Sequence, residues 1–416
     1  MLACLLLSLV TSTRVPAQDN PPREPSERLR ELEKKVEELT RRVESLQKQG
    51  ADRDEKIQAE LEEALEEARR AADGVAQAET SGTSKMLLAG DAFVQFTNRR
   101  GGGSSFTAAL NPHFYWKLGE RMLFGSGVEL ELGNDSTEPN LEWAEVFYEI
   151  GESATLGLGK FLMPFGYFQE NIHAAYINKL PDEPFVVSNT FATTLAPTHD
   201  LGVQIRGPIP LGSARLNYVL YVANGPRLDL GTNDPATAGA LEFENFDDNN
   251  RNKAVGGRIG FQPAPGVEIG YSALVARVGP DGTPFRNVDA TLQDVDLNYV
   301  GRVGPLKGRV DARAEWVWSD VDPADFGSGV QNNRRRGGYA QLAYRPTELL
   351  GGPLADLEGV ARYDRIEQPG GSPLPDVSSW TAGLDYYAGP TSVFKFAYQG
   401  GAGVERAFLF QYAVGF

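Results

Sequence analysis

Charged side chains recur at every second position in the run GRVDARAEWVWS: Arg309, Asp311, Arg313 and Glu315. On an extended strand that spacing sets all four on one face. Guanidinium groups fixed in such a row hold anions or carboxylates by charge-assisted hydrogen bonds. The same alternation assigns Arg206, Arg215, Arg258 and Arg302 to the polar faces of other segments, and with them Glu129, Glu131, Glu145, Glu268 and Asp296. Two readings of the set stay open. It is a track that passes anions or polar solutes, or it is a lattice of opposite charges that braces neighbouring strands.

Other chemistry has little support. The three histidines, His113, His173 and His199, are too scattered to suggest a metal site, and no cofactor is expected. His199 and Asp200 are adjacent, but neighbours on a strand point to opposite faces, so they form no catalytic dyad. No enzyme is expected. The acidic tract EFENFDDNN, at 242–250, could offer oxygen ligands to Ca²⁺, yet it lacks the ligand spacing of a recognised loop and reads as solvated.

The elements that position these charges are strands. From Met86 onward, segments of about ten residues alternate apolar and polar, separated by Gly, Pro, Asn and Asp clusters. In SFTAALNPHFYWKLG, Phe106, Ala108, Leu110, Phe114 and Trp116 share one face, and Thr107, Asn111, His113 and Lys117 share the other. Turn signals divide the region into sixteen candidate strands, among them 153–161, 306–319, 336–346, 353–367 and 403–416. Tight connections such as QPAPG and AGPT alternate with long ones such as 133–140, 162–198, 224–252, 320–335 and 368–377. Trp and Tyr on apolar faces, paired charges on polar faces and alternating loop lengths together predict an all-β transmembrane barrel of about 16 antiparallel strands. A barrel of that size is wide enough for an aqueous channel.

Two stretches carry special expectations. The connection 162–198 is the longest, and a segment of that length is expected to fold into the lumen and constrict it. It brings Glu170, Lys179, Asp182 and Glu183. At the other extreme, Phe408, Phe410, Tyr412, Val414 and Phe416 alternate to the end of the sequence. They are expected to form the lipid-facing side of a closing strand that pairs with the first strand near Met86. An aromatic strand ending on Phe resembles the signal read by the barrel-assembly machinery.

Residues before the barrel read differently. An apolar run followed by Val15-Pro16-Ala17 predicts a signal peptide over 1–17. A proline-rich lead follows at 18–25. Over 26–72 the residues Leu29, Leu32, Val36, Leu39, Val43 and Leu46 alternate three and four apart, a heptad seam that predicts a self-associating α-helical coiled coil. Valine at a with leucine at d leans toward dimers, but three heptads do not fix the count. A small-residue linker, 73–84, leads into the barrel at 85–416.

Composition removes whole classes. The 416 residues carry a formal net charge of −16, which argues against a nucleic-acid partner. The single cysteine, Cys4, permits no intrachain disulfide, and no later apolar run reaches the length of a helical membrane span.

The segments GKFLMPFG (159–166), DLGVQIRG (200–207), YVLYVANG (218–225) and NRNKAVGGRIGFQPAP (250–265) resemble, in order, the phosphate-selective porin O and P family. The resemblance covers the chain from about residue 86 onward. It implies a 16-stranded, typically trimeric channel for anions or small metabolites, with the 162–198 loop folded into the pore; some relatives also carry a periplasmic coiled coil. The family's phosphate channels use a cluster of lysines, whereas here the long loop has only Lys179 against Glu170, Asp182 and Glu183.

The expected function is therefore an outer-membrane porin passing small polar or anionic solutes, embedded in outer-membrane lipid, with the coiled coil in the periplasm. The alternative is a structural barrel whose coiled coil tethers the outer membrane to the periplasm or cell wall.

Overall fold

The computed structural model describes residues 85–416 apart from 133–136, 189–193, 244–245, 247–248 and 328–329. The signal peptide, lead, heptad seam and linker read over 1–84 lie outside the described residues, and with them the tether alternative.

The described chain is built from strands. They are β1 (Lys85–Arg99), β2 (Ser104–Lys117), β3 (Met122–Leu132), β4 (Thr137–Gly151), β5 (Ala154–Leu162), β6 (His199–Leu211) and β7 (Ala214–Ala223). Two short strands follow, β8 (Arg227–Leu228) and β9 (Leu241–Glu242), which pair only with each other. The chain then returns through β10 (Ala254–Ala264), β11 (Val267–Arg277), β12 (Asp289–Val303), β13 (Gly308–Asp325) and β14 (Val330–Arg345). It finishes with β15 (Leu357–Glu367), β16 (Val377–Gly389), β17 (Ser392–Ala402) and β18 (Val404–Gly415). Without β8 and β9, the remaining sixteen strands form one closed barrel.

Closure follows from backbone chemistry. In hydrocarbon an unpaired strand edge strands its N–H and C=O groups at several kcal/mol each, so the first and last strands must meet. They do: Ala92 opposes Val414, Val94 opposes Tyr412 and Phe96 opposes Phe410. Gly90 and Phe416 complete the seam, each amide donating to the other's carbonyl at 3.0 and 2.9 Å. The closing strand thus pairs with the first strand, as expected. Met86 opposes Trp116 of β2, and the seam ladder begins at Asp91.

Polarity runs opposite to that of a soluble sandwich. Exposed positions are apolar, as at Phe106, Leu110, Leu220, Val255, Leu342 and Phe408. Buried positions on other strands of the barrel are charged, as at Asp296, Glu315, Arg362, Asp364 and Lys395. Among the described residues, no helix is long and apolar enough to cross a membrane.

Strand ends depart from the sequence reading for a physical reason. The segments read as 306–319 and 336–346 form the longer β13 and β14, which pair as far as Asp325 with Val330. Asp320 and Arg334 occupy the far rows, so the apolar alternation fades while the backbone ladder continues. The strand read from 353 begins later because Gly352–Asp356 is a 3₁₀ turn.

Candidate functional site

The site is the inner face of the wall together with residues 162–198. Alternation makes that face, and a bulge enriches it. Gly127 opposes Trp143 but Val128 opposes Leu141, so Glu142 is an extra residue in β4. Glu142 and Trp143 are both buried as a result. A bulge turns consecutive side chains to one side, which strict alternation forbids.

The long segment is pinned by apolar packing and by polar contacts. Met163, Phe165, Phe168, Val186 and Leu195 join a buried cluster with Phe161, Tyr221, Leu274, Leu292, Val317 and Ile366 of the wall. Burying a side chain of the Phe or Leu class contributes about 1.5–3 kcal/mol. Gly166 lies at φ 71°, and a Cβ there would fall 2.0 Å from Glu315 Oε1. Glycine is required on both counts. Its amide donates to Ser272 Oγ at 3.0 Å, and the amides of Tyr167 and Phe168, opening a single helical turn, donate to Glu315 Oε2 at 3.3 and 3.4 Å.

Further along, wall side chains hold the segment from several strands. Arg206 of β6 grips Glu170 with two parallel bonds of 2.7 and 3.1 Å. Lys179 donates to Glu358 at 2.7 Å and to the Tyr387 hydroxyl at 2.8 Å. Gln95 of β1 donates to Asp182 Oδ1 at 3.0 Å. Arg362 of β15 donates to the carbonyls of Asp182 and Glu183 at 2.8 and 2.9 Å, while its Nε is held by Asp364 at 2.7 Å. Asp364 also accepts from the Phe185 amide at 3.2 Å. Lys395 of β17 donates to the Ala175 carbonyl and to Gln411.

The arginine set divides in two. Arg258 is buried between Asp296 and Glu268, each at 2.8 Å, and Asn298 supports Asp296 at 2.8 Å. Arg313 lies buried against Asp311 through two bonds of 2.6 and 2.7 Å. These are the strong, geometrically fixed pairs. Arg215, Arg302 and Arg309 keep the inward parity but stand exposed at short-turn ends of their strands. Arg215 bonds Gln262 at 2.7 Å; Arg302 lies 3.6 Å from Glu348; Arg309 sits opposite Arg302 in register. They are not brought together with Arg258 and Arg313 into one ladder. Glu131 is exposed near the far end of β3, opposite Glu138, while Glu129 is half-buried opposite Asn140.

The histidines converge in space although their spacing gives no sign of it. His113, His173 and His199 are dispersed along the chain, yet all turn Nε2 toward Glu142, at 3.9, 2.9 and 3.9 Å. Among the described residues no group has the arrangement to hold a metal ion. His199 faces Glu142 while Asp200 accepts from the amides of Leu201 and Gly225 at 2.7 and 2.8 Å, so the two form no dyad. In the partly described acidic tract, Glu242 pairs with Arg227 at 2.6 Å.

Sequence reasoning missed several participants. Arg362 with Asp364 repeats the two-residue spacing of Arg313 with Asp311, so that signal was present. The convergence at Glu142 had none, because it depends on a bulge and on the path of the long segment.

No family model matches the chain, and the search of curated proteins found no match. Solved structures are similar in fold. A Salmonella typhi OmpF complex with daunomycin matches with TM-score 0.54 at 12% identity, covering 80% of this chain and 98% of that one. An anion-selective porin from Comamonas acidovorans matches with TM-score 0.51 at 13% identity, covering 80% and 100%. The chain has the fold of a porin-type 16-stranded barrel.

Proposed function

We propose that this chain is an outer-membrane channel through which small polar solutes diffuse passively, narrowed by residues 162–198 folded into the lumen. The observation that carries the reading is the reversed polarity of the closed wall. Side chains such as Phe408 and Leu342 face outward while Asp296, Arg362 and Lys395 are turned inward. A barrel in lipid needs an apolar band outside and tolerates water and charge within.

The constriction follows from the anchors. Arg206, Glu315, Glu358, Arg362, Lys395 and Gln95 reach the segment from five different strands, β6, β13, β15, β17 and β1. A loop covering only the outer mouth would not meet mid-strand residues on opposite sides of the wall.

Charge at this level comes in pairs. Arg206, Arg258, Arg313 and Arg362 each face a carboxylate. A solute therefore meets paired charges along the wall, an arrangement suited to polar molecules and to a weak charge preference. This favours the bracing reading for Arg258 and Arg313 over a free anion track. Kinship with the phosphate-selective porin O and P family, trimeric assembly, export through a signal peptide, insertion by the barrel-assembly machinery and a periplasmic coiled coil belong to the same proposal. The mechanism involves no covalent step.

Planar-bilayer recording tests it. The purified chain should give stepwise ohmic currents with a small reversal potential in a KCl gradient. A protein that inserts as a folded barrel and carries no current overturns the channel reading.

A further inference from the structure

The register of β12 to β15 builds a slot on the outward face. One cross-strand row reads Leu297, Ala314, Ala340, Tyr363, so two alanines lie between large side chains. The next row reads Trp316, Gly338, Arg365. A Cβ on Gly338 would stand 2.6 Å from the Trp316 ring, so only glycine leaves that ring its place. With Trp318 these residues line an apolar groove of ≈ 440 Å³.

Charge is confined to one end. The row beyond Gly338 carries Trp318, Arg336 and Glu367, and the row beyond that carries Asp320 and Arg334. All lie on the side where β13 runs on to 326–329 and β15 to 368–376, the long-loop side. Arg334, Arg336 and Arg365 are 76, 60 and 46% exposed. Glu367 is shared between Arg336 and Arg365, and Asp320 lies 3.5 Å from Arg334. Three guanidinium forks thus face the carboxylates of Glu367 and Asp320, with exposed Asp322 next along β13, and each fork has five N–H donors to distribute, more than these contacts use.

An apolar slot bordered by tryptophans and crowned by arginines matches an amphiphile with an anionic head. Tryptophan rings favour the headgroup level, and arginines there attract anionic lipid. We propose that the groove holds an acyl chain of a phosphate-bearing membrane lipid whose headgroup phosphate is met by Arg334, Arg336 and Arg365. The inference rests on the membrane reading above.

Native mass spectrometry of the full chain in detergent tests it, with phosphatidic acid compared against a diacylglycerol of the same acyl chains. Phosphatidic acid should be retained about tenfold better, and the combined Arg334→Gln, Arg336→Gln and Arg365→Gln variant should lose that preference. Ala340→Leu, which fills the floor, should lower retention of both lipids; millimolar inorganic phosphate should displace neither. Unchanged retention in the arginine variant or in Ala340→Leu overturns the proposal, as does displacement by inorganic phosphate, which marks a free-anion site. If the arginine variant does not fold, Ala340→Leu with the phosphate competition decides. Bilayer current is read on the same preparation: conduction without lipid preference sinks the lipid site and leaves the channel standing.

Discussion

His173 Nε2 lies 2.9 Å from Glu142 Oε1, joining the long segment to the bulge of β4. Burial works against the His173 charge, but the hydrogen bond and charge of Glu142, with Glu183 and Asp91 behind them, raise its pKa above the ordinary imidazole value. Glu183, on the same segment, is pushed up to about 7 by burial, against the pull of His173. His113, His199 and Glu129 complete the titratable surroundings.

Both groups give one sign. His173, raised on folding, stabilises the anchored segment fully below about pH 6.5 and loses that contribution as pH climbs through its folded value. Glu183 is held protonated, so its ionisation costs stability from the ordinary value of 4.5 upward, and the cost is complete above about 7. Open-channel noise and brief closures should therefore increase from pH 6 to pH 9. His173→Ala should show the noisy state at both values. Single-channel traces decide, and a pH-independent noise spectrum would remove the pair as an anchor.

Breaking one partner of a buried pair leaves the other charged and uncompensated. Arg313→Gln exposes the Asp311 charge to the lumen and should shift the reversal potential in a KCl gradient toward cations. Arg313→Gln with Asp311→Asn should return it to the parent value. Arg309→Glu, at the rim, should act in the same direction more weakly. Equal potentials throughout would mean that none of these charges faces the conducting path.

Arg362 is fully buried and holds two carbonyls of the segment. Arg362→Ala should cost about 3–5 kcal/mol by orphaning Asp364. The unfolding temperature of the barrel should fall, and conductance should become larger and less steady. Excising 168–187 should enlarge the conductance further; an unchanged value would show that the segment does not narrow the pore.

Lys395 and Phe396 are adjacent, one 1% and the other 45% exposed. Exchanging them places a charge in lipid and an aromatic in the lumen. An outward Lys near the bilayer midplane costs about 2–4 kcal/mol. The swapped chain should assemble poorly, as measured by the folded fraction on an unheated gel, while Phe396→Leu should assemble normally.

The strand alternation, the count of sixteen, the outward stripe of β18 and the long segment at 162–198 were legible in the sequence. Each depends on a local period or on the chain distance between turns. The ends of β13 and β14 were not, because backbone pairing outlasts the apolar pattern that reveals it. Arg258 and Arg313 were assigned the correct face but not their partners. Which carboxylate answers Arg258 depends on the stagger of β10, β11 and β12, and a single-strand pattern carries no stagger.

By itself the sequence determined the wall: period-two alternation of apolar and charged residues gives each strand one face of each kind, and a closed barrel serves both faces while pairing every strand edge. Only the tertiary structure decided what lies across the inner face. The segment's partners come from strands far apart in the chain, and the three histidines meet one carboxylate because a bulge turns Glu142 inward. Contacts of that kind are set by the path of the backbone through space, which no spacing along the chain records.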